Sequence, residues 1–175
     1  MPNNRAPAQL PVSAKMTKHS KNQLAKSAFE IINDLMGDIH GARITGIFAI
    51  KKPDIFMTKH PKYIIRNSIS IIVLSLRKFD DLWKHQIKNL LLKNEPSEGI
   101  ELEDEIATKK IRKFCNIVVA HYADEKTAPK TTEKKIKELL DQQGFKSDED
   151  FFLWTKELLS KIESVRNSLQ SEYAL

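Results

Sequence analysis

Ile65, Ile69, Ile72, Leu76, Phe79, Trp83, Ile87 and Leu90 follow one another at steps of three and four residues without a break. An α-helix turns once every 3.6 residues, so this spacing gathers all eight side chains into one apolar stripe. Pro53 and Pro61 punctuate a loop before the series, and Pro96 and Gly99 stop it. A helix from Pro61 to Lys93 would be about 50 Å long at ~1.5 Å per residue. A stripe of that length is buried by other helices, and the chain carries several candidates to do so.

A first helix is expected from Ser20, whose hydroxyl suits a cap, with Leu24, Ala28, Ile31, Leu35 and Ile39 as its buried stripe. Gly37, Gly41 and Gly46 crowd its second half, which implies a bend or a close approach by another backbone. A third helix opens on Glu101, Glu103, Asp104 and Glu105, acids that suit the positive end of a helix dipole, and continues through Asp124. A fourth follows Pro129, is capped by Thr131 or Thr132 and ends near Gly144. The last is announced by Ser147-Asp148-Glu149-Asp150 and carries Phe151, Trp154, Leu158, Ile162, Val165 and Leu169. No stretch alternates with the period of a strand. The expected fold is therefore all-α, a single compact bundle of about five helices around one long spine helix.

Composition agrees with that fold and bounds the function. Of the 175 residues, 41% are hydrophobic and 30% charged, enough apolar matter for one core and too much for a disordered chain. Residues 1–19 read as a flexible tail, with Pro2, Pro7 and Pro11 and no apolar run, and residues 20–175 as the bundle domain. The most apolar segment, Ile69 to Leu76, is far short of the ~20 residues of a membrane span. One cysteine, Cys115, allows no internal disulfide, so the expectation is a soluble cytoplasmic protein with no membrane partner. The net charge of +6 would attract polyanions, although it also keeps a small domain dispersed.

The common enzyme signatures are missing. There is no glycine-rich phosphate loop, no cysteine pair and no His pair at i, i+4, so no metal and no cofactor are expected. Cys115, with no neighbouring His and apolar surroundings, reads as an inert thiol. His19, His60 and His85 are scattered and read as exposed or locally paired.

The stretch from Ile111 to Asp124, IRKFCNIVVAHYAD, is different in kind. It resembles the HEPN superfamily, in particular its abortive-infection type, in which a helix carries an Arg, a polar residue, a short gap, then Ala-His and a trailing Asp. Asn116 matches the polar position, Ala120-His121 the Ala-His pair and Asp124 the acid; Leu76-Arg77-Lys78-Phe79-Asp80 is similar to the Leu-Arg-x-x-Asp turn of the same bundles. The resemblance covers the spine helix through the last helix. It implies a paired bundle, a homodimer, that targets RNA or a nucleotide in a phage-defence or toxin–antitoxin setting.

One departure weakens the catalytic part of that implication. Nuclease members place an Arg directly before the polar residue, and here that slot holds Cys115, which lacks a guanidinium's permanent charge and forked hydrogen bonds. The chain is thus expected to be a degenerate or weak binder that does not cleave RNA appreciably, and an Arg restored at position 115 is expected to create cleavage. Arg112 and His121 remain the candidate catalytic pair of a metal-independent ribonuclease. Nine residues at ~100° each place them on opposite sides of one helix, so they would have to meet across a dimer. On the bland reading His121 is a core or interface histidine bonded to a group such as Asp124, and Arg77 forms a local ion pair with Asp80 or Asp81.

Lys109, Arg112, Lys113 and Asn116 form a positive stripe that would track a phosphate backbone, unless it is an ordinary solvated face. The alternative of another class is a helical protein–protein interaction module with no nucleic-acid role. A spine about twice as long as the last helix favours dimerisation in either case, because its own chain would leave part of it uncovered.

Overall fold

The computed structural model describes residues 17–55, 61–91, 96–123 and 129–175, with side chains described outside 118–133. Six α-helices and no strand occur among these residues. They are α1 (Lys18–Lys51), α2 (Pro61–Leu82), α3 (Ser97–Thr108), α4 (Ile111–Ala123), α5 (Pro129–Gln142) and α6 (Asp148–Tyr173). A short 3-10 turn (Pro53–Ile55) follows α1, and α2 runs on through a π-helical turn (Trp83–Ile87) into a last α-turn (Lys88–Leu90). The chain is an all-α helical bundle. None of its described helices is long and apolar enough to cross a membrane.

α2 is the centre of the bundle, as its stripe requires. Ile69, Ile72, Val73, Leu76, Phe79, Trp83 and Ile87 are all at most 1% exposed, and burying each such side chain is worth about 1.5–3 kcal/mol. Burial extends to Ser68, Ser70, Ser75 and Asp80, so the helix is enclosed on more than its apolar stripe. Ser70 can lie there because its hydroxyl donates to the Arg66 carbonyl at 2.9 Å.

α1, at 34 residues the longest helix, packs along both α2 and α6. It starts earlier than Ser20, with the Thr17 hydroxyl accepting from Ser20 N, so Lys18 and His19 belong to the helix and not to the tail; residues 1–16 lie outside the described residues. Its buried face is Ala25, Ala28, Ile32, Leu35, Ile39, Ala42, Gly46 and Ala49. Ile31, assigned to the stripe from its spacing, is 39% exposed, and Ile32 takes the place, because two neighbouring helices set the face. The many small residues let those helices come close. At Gly46 the approach is that of a side chain, the Phe152 ring, which sits where a Cβ would be. Gly37 and Gly41 face open space.

The segment read as one third helix is two. Lys110 takes the left-handed conformation (φ 50) between α3 and α4, and its N–H bonds to the Ala107 carbonyl at 3.0 Å. Neither Gly nor Pro marks the break in the sequence. Since α3 begins at Ser97, Glu101 to Glu105 lie in its middle instead of at its dipole end. Two of them face the tryptophans: Trp83 Nε1 donates to Glu103 at 3.0 Å and Trp154 Nε1 to Glu105 at 2.6 Å. α3 is thereby pinned between α2 and α6, and Gly99 lets the Trp83 ring lie against its backbone.

α5 begins at Pro129, so Thr131 and Thr132 lie within its first turn and neither is the cap. It ends as expected on Gly144, whose φ of 81 is the left-handed conformation. Ser147 caps α6 by accepting from Asp150 N at 3.1 Å, and Asp150 accepts in turn from Lys146 N. The spine, the 22 residues of α2 continued by turns of 5 and 3, is only a little longer than the 26 residues of α6, so the twofold mismatch in length that favoured a dimer does not exist. The far end of α6 is tied down where Tyr173 donates to the Leu90 carbonyl at 2.9 Å.

Candidate nucleic-acid interface

The stretches that carry the HEPN resemblance pack against each other. Arg77, Asp80 and Asp81 on α2 and Lys84 on the π turn that continues it share one face at helical spacing, and Arg112, Cys115 and Asn116 share one face of α4. Arg112 meets Asp80 and Asp81, while Asn116 and Cys115 meet Arg77. Ascending residues on α2 face descending ones on α4, so the two helices run antiparallel here.

Arg112 Nε donates to Asp80 Oδ2 at 2.7 Å, and its Nη2 to Asp81 Oδ1. The Asp80 carboxylate is buried and also has Lys84 Nζ at 2.9 Å from its other oxygen, an ionic contact without the alignment of a hydrogen bond. The bond to Asp80 holds the Arg112 guanidinium even more firmly in its charged form than usual. Arg77 therefore makes no ion pair with either aspartate, contrary to the local pairing expected from its spacing. It turns to α4, where Nη1 donates to Asn116 Oδ1 at 2.8 Å and lies 3.5 Å from Cys115 Sγ.

Cys115 is a free thiol, 1% exposed. Arg77 brings a guanidinium from α2 alongside Cys115 and Asn116 of α4. A guanidinium has five N–H groups, and only Nη1 of Arg77 is engaged among the described residues. Part of this is legible in the sequence, since Arg77 stands in the second stretch similar to the family, but its partner is not.

Three of the four residues of the proposed positive stripe are engaged within the bundle. Lys109 lies beyond the break at Lys110; its Nζ donates to the Gln143 carbonyl at 2.7 Å and lies 4.6 Å from the centre of the Phe145 ring. Arg112 is held by the two aspartates and Asn116 by Arg77. Lys113 alone of the four is exposed with neither a side-chain hydrogen bond nor an ion pair among the described residues. The expectations on the His121 side chain and on Asp124 fall outside the described residues, although His121 lies within α4 with Arg112. His19 and His85 are exposed, and His60 lies outside the described residues. Among the described residues no cluster of three His, Cys, Asp or Glu side chains is arranged to hold a metal ion.

Carboxylates around this contact are spent on structure. Glu103 takes Trp83 Nε1 and also faces Lys84 and Lys88, at 3.7 and 3.3 Å. Burial pushes its carboxyl up, but the bonds from Trp83 and Lys88 and the charges of both lysines outweigh burial and leave it below the usual carboxylate range. Lys161, bonded to Glu105 at 3.0 Å, is correspondingly raised.

Fold and site together define an α-helical bundle with a basic and acidic cluster at one helix–helix contact. No family model, curated protein or solved structure matches the chain.

Proposed function

We propose that the chain is a HEPN-like helical protein that binds RNA or a nucleotide without cleaving it efficiently, as a homodimer in a cytoplasmic phage-defence or toxin–antitoxin system. The observation that carries this reading is Arg77, whose guanidinium lies against Asn116 and Cys115 with Nε and Nη2 unspent among the described residues. A phosphate oxygen is the natural acceptor for such donors, and exposed Lys113 on α4 adds charge. Catalysis is a poorer fit. Arg112, bound to two aspartates, is largely neutralised as a phosphate clamp, so a nuclease built on Arg112 and His121 across a dimer would first have to break that pairing.

The test is an electrophoretic shift of labelled single-stranded RNA by the purified protein over a range of salt. Binding should weaken steeply with salt, because each phosphate contact releases counterions. Arg77→Ala and Lys113→Ala should each reduce the affinity and flatten the salt slope. Absence of a shift at low salt, or a shift indifferent to both substitutions, rules the reading out. Light scattering after size exclusion tests the dimer, and a strict monomer at micromolar concentration removes that part.

A second reading, a protein–protein interaction module with no nucleic-acid role, draws on Ile44 and Phe48. They stand one turn apart on α1, 49% and 39% exposed, with Ile55 exposed just beyond. Under this reading Ile44→Asp would abolish partner capture, and the parent protein would not shift RNA even at low salt.

A further inference from the structure

A cleft of about 390 Å³ opens between the first turns of α2, the middle of α5 and the loop into α6. It lies apart from the α2–α4 contact, and nothing in the RNA-binding reading uses it. Ile65, Ile69, Ile136, Leu140 and Phe145 supply apolar walls. Lys62, Arg66, Lys137 and Lys146 bring positive charge, against the two carboxylates of Asp141 and Asp148. Apolar walls with a few converging polar groups are the usual make-up of a small-molecule site, and this volume is near the lower end of the roughly 300–1,000 Å³ such sites span.

Arg66 gives the cleft a direction. Its Nε is buried with no hydrogen-bond partner among the described residues, while its guanidinium carbon lies 4.7 Å from the centre of the Tyr63 ring. Buried donors in folded proteins are almost always satisfied, so an open Nε leaves Arg66 only partly engaged within the bundle, and Arg66 lines the cleft. We propose that the cleft binds a small amphiphilic monocarboxylate, with its aliphatic body between α2 and α5 and its carboxylate on Arg66.

Three features select that class. Among the described residues four cations against two carboxylates leave an excess suited to a single negative charge, and Asp141 and Asp148 repel a polyanion. Four of the five wall residues are aliphatic, and among the described residues no Asn or Gln lines the cleft to read the edge of a nucleobase. The ring of Phe145 is already engaged, with Lys109 Nζ over it and Phe151 and Trp154 at 5.4 and 5.2 Å between centroids, so it is a poor platform for stacking a base.

Isothermal titration of the full chain with decanoate tests this, with decanol, decyltrimethylammonium and adenosine monophosphate as comparisons. Decanoate should bind saturably at one site per chain, at least about tenfold tighter than decanol, the worth of one charge-assisted hydrogen bond. The cationic amphiphile and the nucleotide should not compete. Arg66→Ala should cost at least about the same factor, and Lys137→Glu, on an exposed rim position, should weaken binding without touching the core. Circular dichroism checks that each variant is folded; if Arg66→Ala is not, the Lys137→Glu and decanol comparisons decide. Equal binding of decanol, affinity unchanged in folded Arg66→Ala, or competition by the nucleotide each overturns the proposal.

Discussion

The bond from Arg112 Nε to Asp80 Oδ2 joins a guanidinium that water reaches, 48% exposed, to a carboxylate that it does not, 1% exposed. Its two halves therefore depend on each other unequally. Without Asp80 the arginine could still be hydrated and still face Asp81, whereas without Arg112 the buried carboxylate keeps, among the described residues, only the ionic contact with Lys84.

Arg112→Ala should accordingly destabilise the bundle by about 2 kcal/mol, less than the roughly 3–5 of a fully buried pair because Lys84 remains. Asp81→Ala, which removes a partly exposed partner, should cost less than about 1 kcal/mol. Urea denaturation of both variants is the check. Equal losses would mean that the burial of Asp80 contributes nothing.

The glycines separate into two kinds. At Gly99 and Gly46 an added Cβ would come within 2.1 Å of the Trp83 and Phe152 rings, so Gly99→Ala and Gly46→Ala should each cost about 1–3 kcal/mol by overpacking. At Gly37 and Gly41 nothing lies within 4 Å, and Ala there should stabilise by up to about 1 kcal/mol through helix propensity. Thermal midpoints of the four variants should move in opposite directions by pair.

Lys110 holds a left-handed conformation that L-residues adopt at a cost of roughly 1–2 kcal/mol. Lys110→Gly should raise stability by about 1 kcal/mol. Lower stability in that variant would mean that the side chain, and not the backbone, makes the break between α3 and α4.

Glu103 is lowered below its ordinary carboxylate value, so its ionised form stabilises the fold. The sign follows from linkage: this stability is fully present above the unfolded carboxylate pKa, near 4.3, and is lost as pH falls through the lowered folded value. Glu103→Gln should be less stable than the parent at pH 7, and the gap should close toward pH 3. Urea midpoints measured across that range give the comparison, and a constant gap would contradict the linkage.

An arginine at position 115 should not restore a working site. Cys115 is buried with Arg77 Nη1 already 3.5 Å from its sulfur, so Cys115→Arg would bury a second guanidinium beside the first and should cost more than about 2 kcal/mol. Cys115→Ala should cost only on the order of 1 kcal/mol. A fully stable Arg variant with new ribonuclease activity would overturn this.

The sequence by itself determined the elements whose signals are local. The stripe from Ile65 to Leu90 made α2 a buried helix, Ser147 and Asp150 set the start of α6, and Gly144 closed α5, because helical spacing and capping are properties of a few consecutive residues. Tertiary structure decided what lies across a gap between helices. Docking against α2 and α6 chose Ile32 over Ile31, and a left-handed Lys110, with no glycine to announce it, split one periodic segment into two. The same is true of the candidate site. Arg77 and Arg112 each had acids or polar groups near in sequence, and only the antiparallel contact of α2 with α4 gave both aspartates to Arg112 and left Arg77 to Asn116 and Cys115. Spacing along one helix fixes which side chains share a face, but the partner of that face depends on how helices far apart in the chain come together.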